Sequence, residues 1–452
     1  MPRLPLTTFE QYLLHDDRRA YPCWMLGRLR FRGTFEHAPL ERAWAATARR
    51  HPLLASVVRR GAFGKLCWEP APGGPAPIEW RRGPPADANT DANWPVDEWA
   101  PIDLTKEPGL RWIFVEDGTT TDLIIQTHHA VLDGGAIFAV IHELMLHYTR
   151  ELGQAVELPE LRPEMLRTRG RFGDSLWERL KLLPVHLAGL ALAWPILRRE
   201  VAPFVPHRAA ADRDAPPPGL PAIVGRRFSP DDFKHIRAAA KRLGAGVNDL
   251  LTRDLFAAVG AWRAAQGVGT PLDWIRLGVP VSLRTHADRH LPAANVFSLV
   301  GLDRRAKSLA NRDRLLRRAR EDMELVKKHR LGHTFLLLLG LHRLRPGGIF
   351  RYTRRPACRA TLVLTNMGQF FSPRSPLLDD AQHLAVPGAV LEDIQIGGLF
   401  RPATCATVAV GIYAGQLHAD LHYDARFLTA AQAESFMQAF EQQVRLSMES
   451  VP

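Results

Sequence analysis

The chain has 452 residues, 46% hydrophobic and 23% charged, with a formal net charge of +12. That balance is globular and excludes a disordered or fibrous chain, while the length exceeds one ordinary core and gives room for two domains of about 200 residues. Four scattered cysteines, Cys23, Cys67, Cys358 and Cys405, make no CxxC pair and no disulfide framework, and the start Met1-Pro2-Arg3-Leu4-Pro5 has no apolar signal core; a reducing cytoplasm is the expected compartment.

In chain order, strand-like pieces lie near 24–32, 54–59, 65–69 and 110–116, and Leu40, Ala43, Trp44 and Thr47 mark one side of a helix over 39–50 that stops before Pro52. A strand over 121–127 and a helix over 136–151, with Ile137, Val140, Ile141, Leu144 and Tyr148 in an apolar stripe, complete a first α/β half over 1–175. Residues 176–221 form the crossover. Within it the apolar run Leu182 to Leu197, interrupted by Pro184, His186 and Pro195, is too short to span a membrane, which takes about 20 residues. It suits a buried crossover helix, an interfacial segment or a lid. The Pro- and Ala-rich stretch 202–222 reads as the linker.

The second half, 222–452, opens with a strand near 222–228. Ser229-Pro230-Asp231-Asp232 then caps a helix running to about Leu243, with proline at its first position. A helix over 248–265 and strands near 274–281, 295–302 and 361–365 follow. Val408, Val410 and Ile412 alternate before Ala414-Gly415, and Leu417, Ala419, Leu421 and Tyr423 after it, the pattern of a hairpin. Thr429 begins the last helix, with Phe436, Phe440 and Val444 on its buried face.

One motif stands out: His128-His129-Ala130-Val131-Leu132-Asp133-Gly134, at the junction of the 121–127 strand and the following helix. Two adjacent histidines with Asp and Gly at these offsets arise by chance in roughly a few chains per thousand. Side chains alternate along a strand, so His128 and His129 face opposite ways and one of them serves structure. Gly134-Gly135 tolerates unusual backbone angles, which would let Asp133 fold back beneath the histidines as a brace. Neutral imidazole within about 3 Å of a hydroxyl can take its proton during attack on a carbonyl, a contribution on the order of 10²–10⁴-fold.

The motif resembles the HHxxxDG hallmark of the CoA-dependent acyltransferase superfamily, which includes chloramphenicol acetyltransferase, condensation domains, polyketide-associated acyltransferases and wax ester synthase/diacylglycerol acyltransferases. Further pieces follow in the family's order: Arg50-His51-Pro52-Leu53-Leu54, Pro101-Ile102-Asp103-Leu104, Val247-Asn248-Asp249, Val279-Pro280-Val281-Ser282-Leu283-Arg284, Asn295-Val296-Phe297-Ser298 and Thr365-Asn366-Met367-Gly368. The resemblance implies an α/β fold of two chloramphenicol-acetyltransferase-like sandwich halves with a substrate channel between them. It implies His129 as general base, Asp133 as a loop brace paired with Arg284, and His128 as structural. The DFGWG segment of plant-type members is absent and Ala136 stands where a serine often follows the hallmark. Candidate donors to a tetrahedral intermediate are the N–H groups of Gly134 and Gly135, and, by motif similarity, the side chains of Asn295, Ser298 and Asn366.

The expected reaction moves an acyl group from acyl-CoA or an acyl carrier protein to a small, hydrophobic hydroxyl acceptor, with amide formation on an amine as the alternative. A catalytically silent acyl-binding relative is the third reading. The thioester is a co-substrate, so no cofactor is expected. A metal is not expected either, since there is no HExxH helix and no clustered cysteines. Neither a GxSxG elbow nor a phosphate loop occurs.

Charge is uneven. Residues 301–360 carry 17 Lys+Arg against 5 Asp+Glu, an excess equal to that of the whole chain. CoA phosphates, an acidic carrier, an anionic membrane surface met peripherally on its cytoplasmic side, or a merely solvated helix all fit such a region. No nucleic-acid-binding module surrounds it, so nucleic acid is not an expected partner.

Overall fold

Apolar residues alternating along the strands build two six-stranded sheets, and a computed structural model describes them over residues 3–61, 64–83, 100–171, 176–206, 221–355, 357–399 and 401–449. The first half runs β1 (Leu4–Pro5), α1 (Thr8–Asp16), β2 (Trp24–Gly33), α2 (His37–Arg50), β3 (Ser56–Arg60), β4 (Leu66–Pro70), β5 (Ile78–Arg82), β6 (Leu110–Glu116), β7 (Thr120–His128) and α3 (Gly134–Glu151). The crossover helix α4 (Leu176–Leu197) follows. The second half runs β8 (Ile223–Phe228), α5 (Pro230–Arg242), α6 (Val247–Ala265), β9 (Trp274–Ser282), β10 (Phe297–Arg305), α7 (Arg312–Lys328), α8 (Gly332–Arg343) and α9 (Gly348–Thr353). It ends with β11 (Leu362–Gln369), β12 (Ala385–Val386), β13 (Ala389–Gly397), β14 (Ala406–Tyr413), β15 (Gln416–Tyr423) and α10 (Ala430–Glu449).

The first sheet has the order β12-β13-β2-β7-β6-β5, and a small sheet β1-β4-β3 stands beside it. Along β6, Trp112 and Phe114 enter the core beneath α2 and α3, whereas Ile113 and Val115 meet Ile223 of β8 on the opposite face. Burying each such side chain contributes about 1.5–3 kcal/mol.

The second sheet, β10-β9-β11-β14-β15-β8, packs against α5, α6 and α10. Its β14–β15 hairpin turns at Ala414 (φ 46°) and Gly415 (φ 74°), the left-handed pair that matches strand twist. Ser229 caps α5 as its sequence predicts, accepting from Asp232 N at 3.1 Å.

Two expectations need correction. β12 and β13 lie beyond residue 222 yet hydrogen-bond into the first sheet, β13 antiparallel to β2 from Ala389↔Gly33 to Gly397↔Leu26. A division into 1–175, 176–221 and 222–452 therefore does not follow the sheets. Nor is the 202–222 stretch a free linker where it is described: Phe204 is buried and stacks on Trp262 at 4.7 Å, while 207–220 lie outside the described residues. The apolar run at 182–197 belongs to α4, which packs on α8 but is not buried all round.

The first core crosses the boundary between the halves. It takes in Ala293, Ala294, Phe297 and Leu339 as well as Phe9, Val131 and Ile137. The hallmark turn sits in that shared region.

Candidate active site

β7 ends at His128, and the next residues leave the sheet through a buried turn, Ala130-Val131-Leu132. His128 N donates to Gly109 O (2.8 Å) and His129 N to Cys23 O (2.7 Å), so both neighbouring segments fix the turn. The two rings diverge. His128 Nδ1 accepts from Ala130 N (3.1 Å), which puts its proton on Nε2, 3.8 Å from Asp17 Oδ2. Asp17 Oδ1 in turn accepts from Cys23 N at 2.6 Å. His128 is thus committed to holding the loop.

The His129 ring lies against Phe297 of β10, with centroids 4.8 Å apart and planes 23° from parallel. Phe9 meets Phe297 edge-on at 4.7 Å, and Phe335 of α8 meets both Phe9 and Tyr12 of α1, forming an aromatic wall shared by both halves. His129 is 8% exposed, and its Nδ1 is enclosed without a well-aligned partner, which leaves Nε2 for an incoming group. Burial lowers the His129 pKa to about 4; its own carbonyl and Asp133 oppose this, and Arg401 adds to it. The ring is neutral at physiological pH.

Asp133 is the N-cap of α3. Its Oδ1 accepts from Ala136 N (2.9 Å), and its Oδ2 accepts from Arg284 Nη1 (2.6 Å) and from Val296 N (2.8 Å). The structure therefore brings Asp133 and Arg284 together across the two halves. The expected role of Gly134-Gly135 is different, because neither glycine has a positive φ. Gly134 is small for packing: a Cβ there would lie 2.3 Å from Met367 Cε, so the Thr365-Asn366-Met367-Gly368 segment lies directly over the helix start.

Residues 293–296 form a clasp that spacing alone did not reveal. Ala293 N donates to His51 Nδ1 (2.8 Å), Ala294 O accepts from Arg284 Nη2 (2.9 Å), Asn295 Nδ2 donates to His129 O (2.5 Å), and Val296 N donates to Asp133. Of these four consecutive residues, Asn295 and Val296 grip the hallmark of the other half, Ala293 holds His51 there, and Ala294 holds Arg284 within its own half.

The three side chains expected to bind substrate have other partners. Asn295 holds the His129 carbonyl, Ser298 donates to Gly332 O (2.6 Å) at the start of α8, and exposed Asn366 donates to Asn248 Oδ1 (3.1 Å) while accepting from Gly368 N. Ser298 of β10 and Asn366 of β11 close loops with these bonds, whereas Asn295, just before β10, uses its Nδ2 and keeps its Oδ1 buried without a hydrogen-bond partner. Sequence reasoning also missed Arg401, which joins Asp16 Oδ2 (2.6 Å), Tyr21 O (3.1 Å) and Cys23 Sγ (3.0 Å), and so steadies the carbonyl that holds His129. An isolated arginine after a strand carries no signal of that role. Among the described residues no group of three or more His, Cys, Asp or Glu could hold a metal ion.

Solved structures share this architecture from end to end. The first condensation domain of the calcium-dependent antibiotic synthetase, in complex with a substrate analogue, superposes with a TM-score of 0.69 at 15% identity, covering 99% of this chain and 97% of that one. The chain has the condensation-domain fold. The starter condensation domain of rhizomide synthetase, a mutant in complex with C8-CoA and Leu-SNAC, gives 0.66 at 15% identity over 99% and 94% of the two chains. Polyketide synthase associated protein 5 from Mycobacterium tuberculosis gives 0.59 at 17% identity over 99% and 100%. No protein-family model matches the sequence, and no curated protein is detectably similar to it in sequence. The condensation fold, with its two lobes, is the frame that carries His129 to the junction between them.

Proposed function

We propose that the chain is an acyltransferase that moves an acyl group from a thioester, on CoA or on an acyl carrier protein, to the hydroxyl of a hydrophobic acceptor. His129 Nε2 takes the hydroxyl proton as the oxygen attacks the thioester carbonyl. The C–S bond then breaks, and the same proton passes to the departing sulfur. The developing oxyanion meets the N–H groups of Gly134 and Gly135, whose positions in the first turn of α3 have no intrahelical acceptor. Asp133, Arg284, Asn295 and His128 position the base without touching substrate.

The observation that supports this reading most is a neutral, buried imidazole gripped from both halves of the protein, its Nδ1 enclosed and its Nε2 unclaimed. A second reading, amide formation on an amine, uses the same base; the neighbour captured with C8-CoA and Leu-SNAC favours it.

A mass-spectrometric screen of acyl-CoAs and acyl carrier protein against pooled alcohols and amines decides between them. Ester product that disappears in His129→Ala supports the first reading and amide product the second. Saturable thioester binding without turnover would mean a silent relative and would end both.

A further inference from the structure

α4 turns a face of apolar side chains to solvent. Trp177 is 66% exposed, Leu180 53%, Leu187 52% and Trp194 54%, all within one side of the helix. From Trp177 to Trp194 the stripe is about 26 Å long. Soluble proteins rarely leave contiguous apolar surface of this size uncovered. The opposite side of α4 is properly seated: His186 is buried and lies parallel to His333 of α8 with centroids 5.4 Å apart, and a Cβ on Gly189 would come within 2.9 Å of Thr334 Oγ1. The exposed stripe is therefore the outer face of a docked helix.

It continues onto the second half, where Leu344 is 80% exposed and Leu341 and Phe350 are each 47% exposed. The charge around it has one sign. Residues 325–378 contain ten Lys and Arg and not one Asp or Glu. On and beside α7, Arg304, Arg312, Arg318 and Arg320 pair with Asp322, Asp254, Glu321 and Glu324, whereas Arg314, Arg317, Lys327 and Lys328 have no carboxylate partner among the described residues. Arg343, Arg345, Arg351 and Arg355, beside the stripe, likewise have no carboxylate partner among the described residues. Unpaired positive charge with no nearby acidic residue in sequence thus borders the apolar stripe.

We propose that the surface formed by α4, α8 and α9 docks the protein on an anionic lipid bilayer. Trp and Leu enter the headgroup boundary, where the amphipathic indole is favoured, and Lys181, Arg343, Arg345 and Arg351 meet lipid phosphates. No helix among the described residues is long and apolar enough to cross a membrane, so α4 lies in the interface. Charge complementarity selects this occupant: a second copy of the chain would bring an equally basic rim against its own. The proposal is independent of the chemistry at His129.

The test is co-sedimentation of the full chain with vesicles of phosphatidylcholine, with and without about one-third phosphatidylglycerol, at low and high salt. The anionic vesicles are expected to bind the protein at least about tenfold more tightly than the neutral ones, with the gain erased by salt. Trp177→Ser/Leu187→Ser/Trp194→Ser and, separately, Arg343→Glu/Arg345→Glu each lower the partition coefficient by about tenfold or more while leaving thermal unfolding unchanged, since all these side chains are solvent-facing. Three results overturn it: equal partition of variants and parent, no partition at all, or self-association of the parent in vesicle-free solution that the triple variant abolishes. Capture of an acidic carrier protein in place of vesicles overturns it too.

Discussion

The side-chain amide of Asn295 donates to the main-chain carbonyl of His129 at 2.5 Å, tying the imidazole of one half to a strand entry of the other. Removing that donor leaves a buried carbonyl unpaired, a loss of about 1–3 kcal/mol, and loosens the base. Under the proposed mechanism Asn295→Ala is expected to lower kcat about tenfold with little change in KM, since the residue bonds to His129 and not to substrate. Steady-state kinetics of whichever product forms will show it, and an unchanged kcat sinks the positioning role.

His129→Ala removes the proposed base. Turnover is expected to fall on the order of 10²–10⁴-fold. The melting temperature should hold, because the ring leaves no broken side-chain hydrogen bond behind. Retained turnover with intact circular dichroism would rule the imidazole out as base.

Asp133 and Arg284 form a bridge whose guanidinium is 30% exposed, so solvent screens part of it. Arg284→Ala therefore costs about 2 kcal/mol, below the roughly 3–5 kcal/mol of a fully buried pair. Asp133→Ala costs more, because the same carboxylate also holds Ala136 N and Val296 N. Denaturant unfolding of the two single variants and the double variant should give a positive coupling energy; strict additivity would show the bridge to be energetically idle.

Gly134→Ala puts a methyl where the flexible end of Met367 lies, so the thioether must swing aside, at an expected cost of about 1 kcal/mol. Shortening the facing side chain as well, Gly134→Ala/Met367→Ala, should recover part of both stability and rate. A loss in Gly134→Ala that the double variant does not relieve would show that Met367 is not the group in the way.

Three buried histidines, His129, His418 and His422, have pKa values lowered by burial to about 4. Unfolded, each titrates at its ordinary 6.5. The unfolded chain therefore binds more protons between these values, and stability present above pH 6.5 drains away towards pH 4, on the order of 3 kcal/mol per histidine. Asp420, raised by burial to about 6, acts in the opposite sense and offsets part of the loss. Urea midpoints should fall across this window, whereas activity limited by His129 alone would persist to near its own lowered pKa. Midpoints that stay flat down to pH 4 contradict the enclosure of these rings.

Much of this was legible in the chain. The β14–β15 hairpin, the Ser229 cap and the stripes of α2, α3 and α10 are local patterns of period two or 3.6, and local patterns read well. The strand β13 was missed because its partner β2 lies some 360 residues away, and nothing within Ala389–Gly397 announces which sheet it will join. At the site, the motif pointed to His129 and Asp133 and a separate strand-end resemblance to Arg284, and the pairing of Asp133 with Arg284 is present. Asn295, Ser298 and Asn366 were found as positions but not as partners, since a motif fixes where a residue stands and not which way its amide or hydroxyl turns. Gly134 showed the same limit: its freedom of φ was the expected reason, and the neighbouring sulfur is the actual one.

The strand exchange at β13 makes the two lobes topologically inseparable. A fragment ending at residue 175 would keep the β2–β7 ladder but leave the other edge of β2, the one β13 covers, open to aggregation, and a fragment starting at 222 would trail an orphan strand. Any widening of the gap between the lobes must therefore pivot about that borrowed strand. Gene splitting will succeed only when both pieces are made in the same cell.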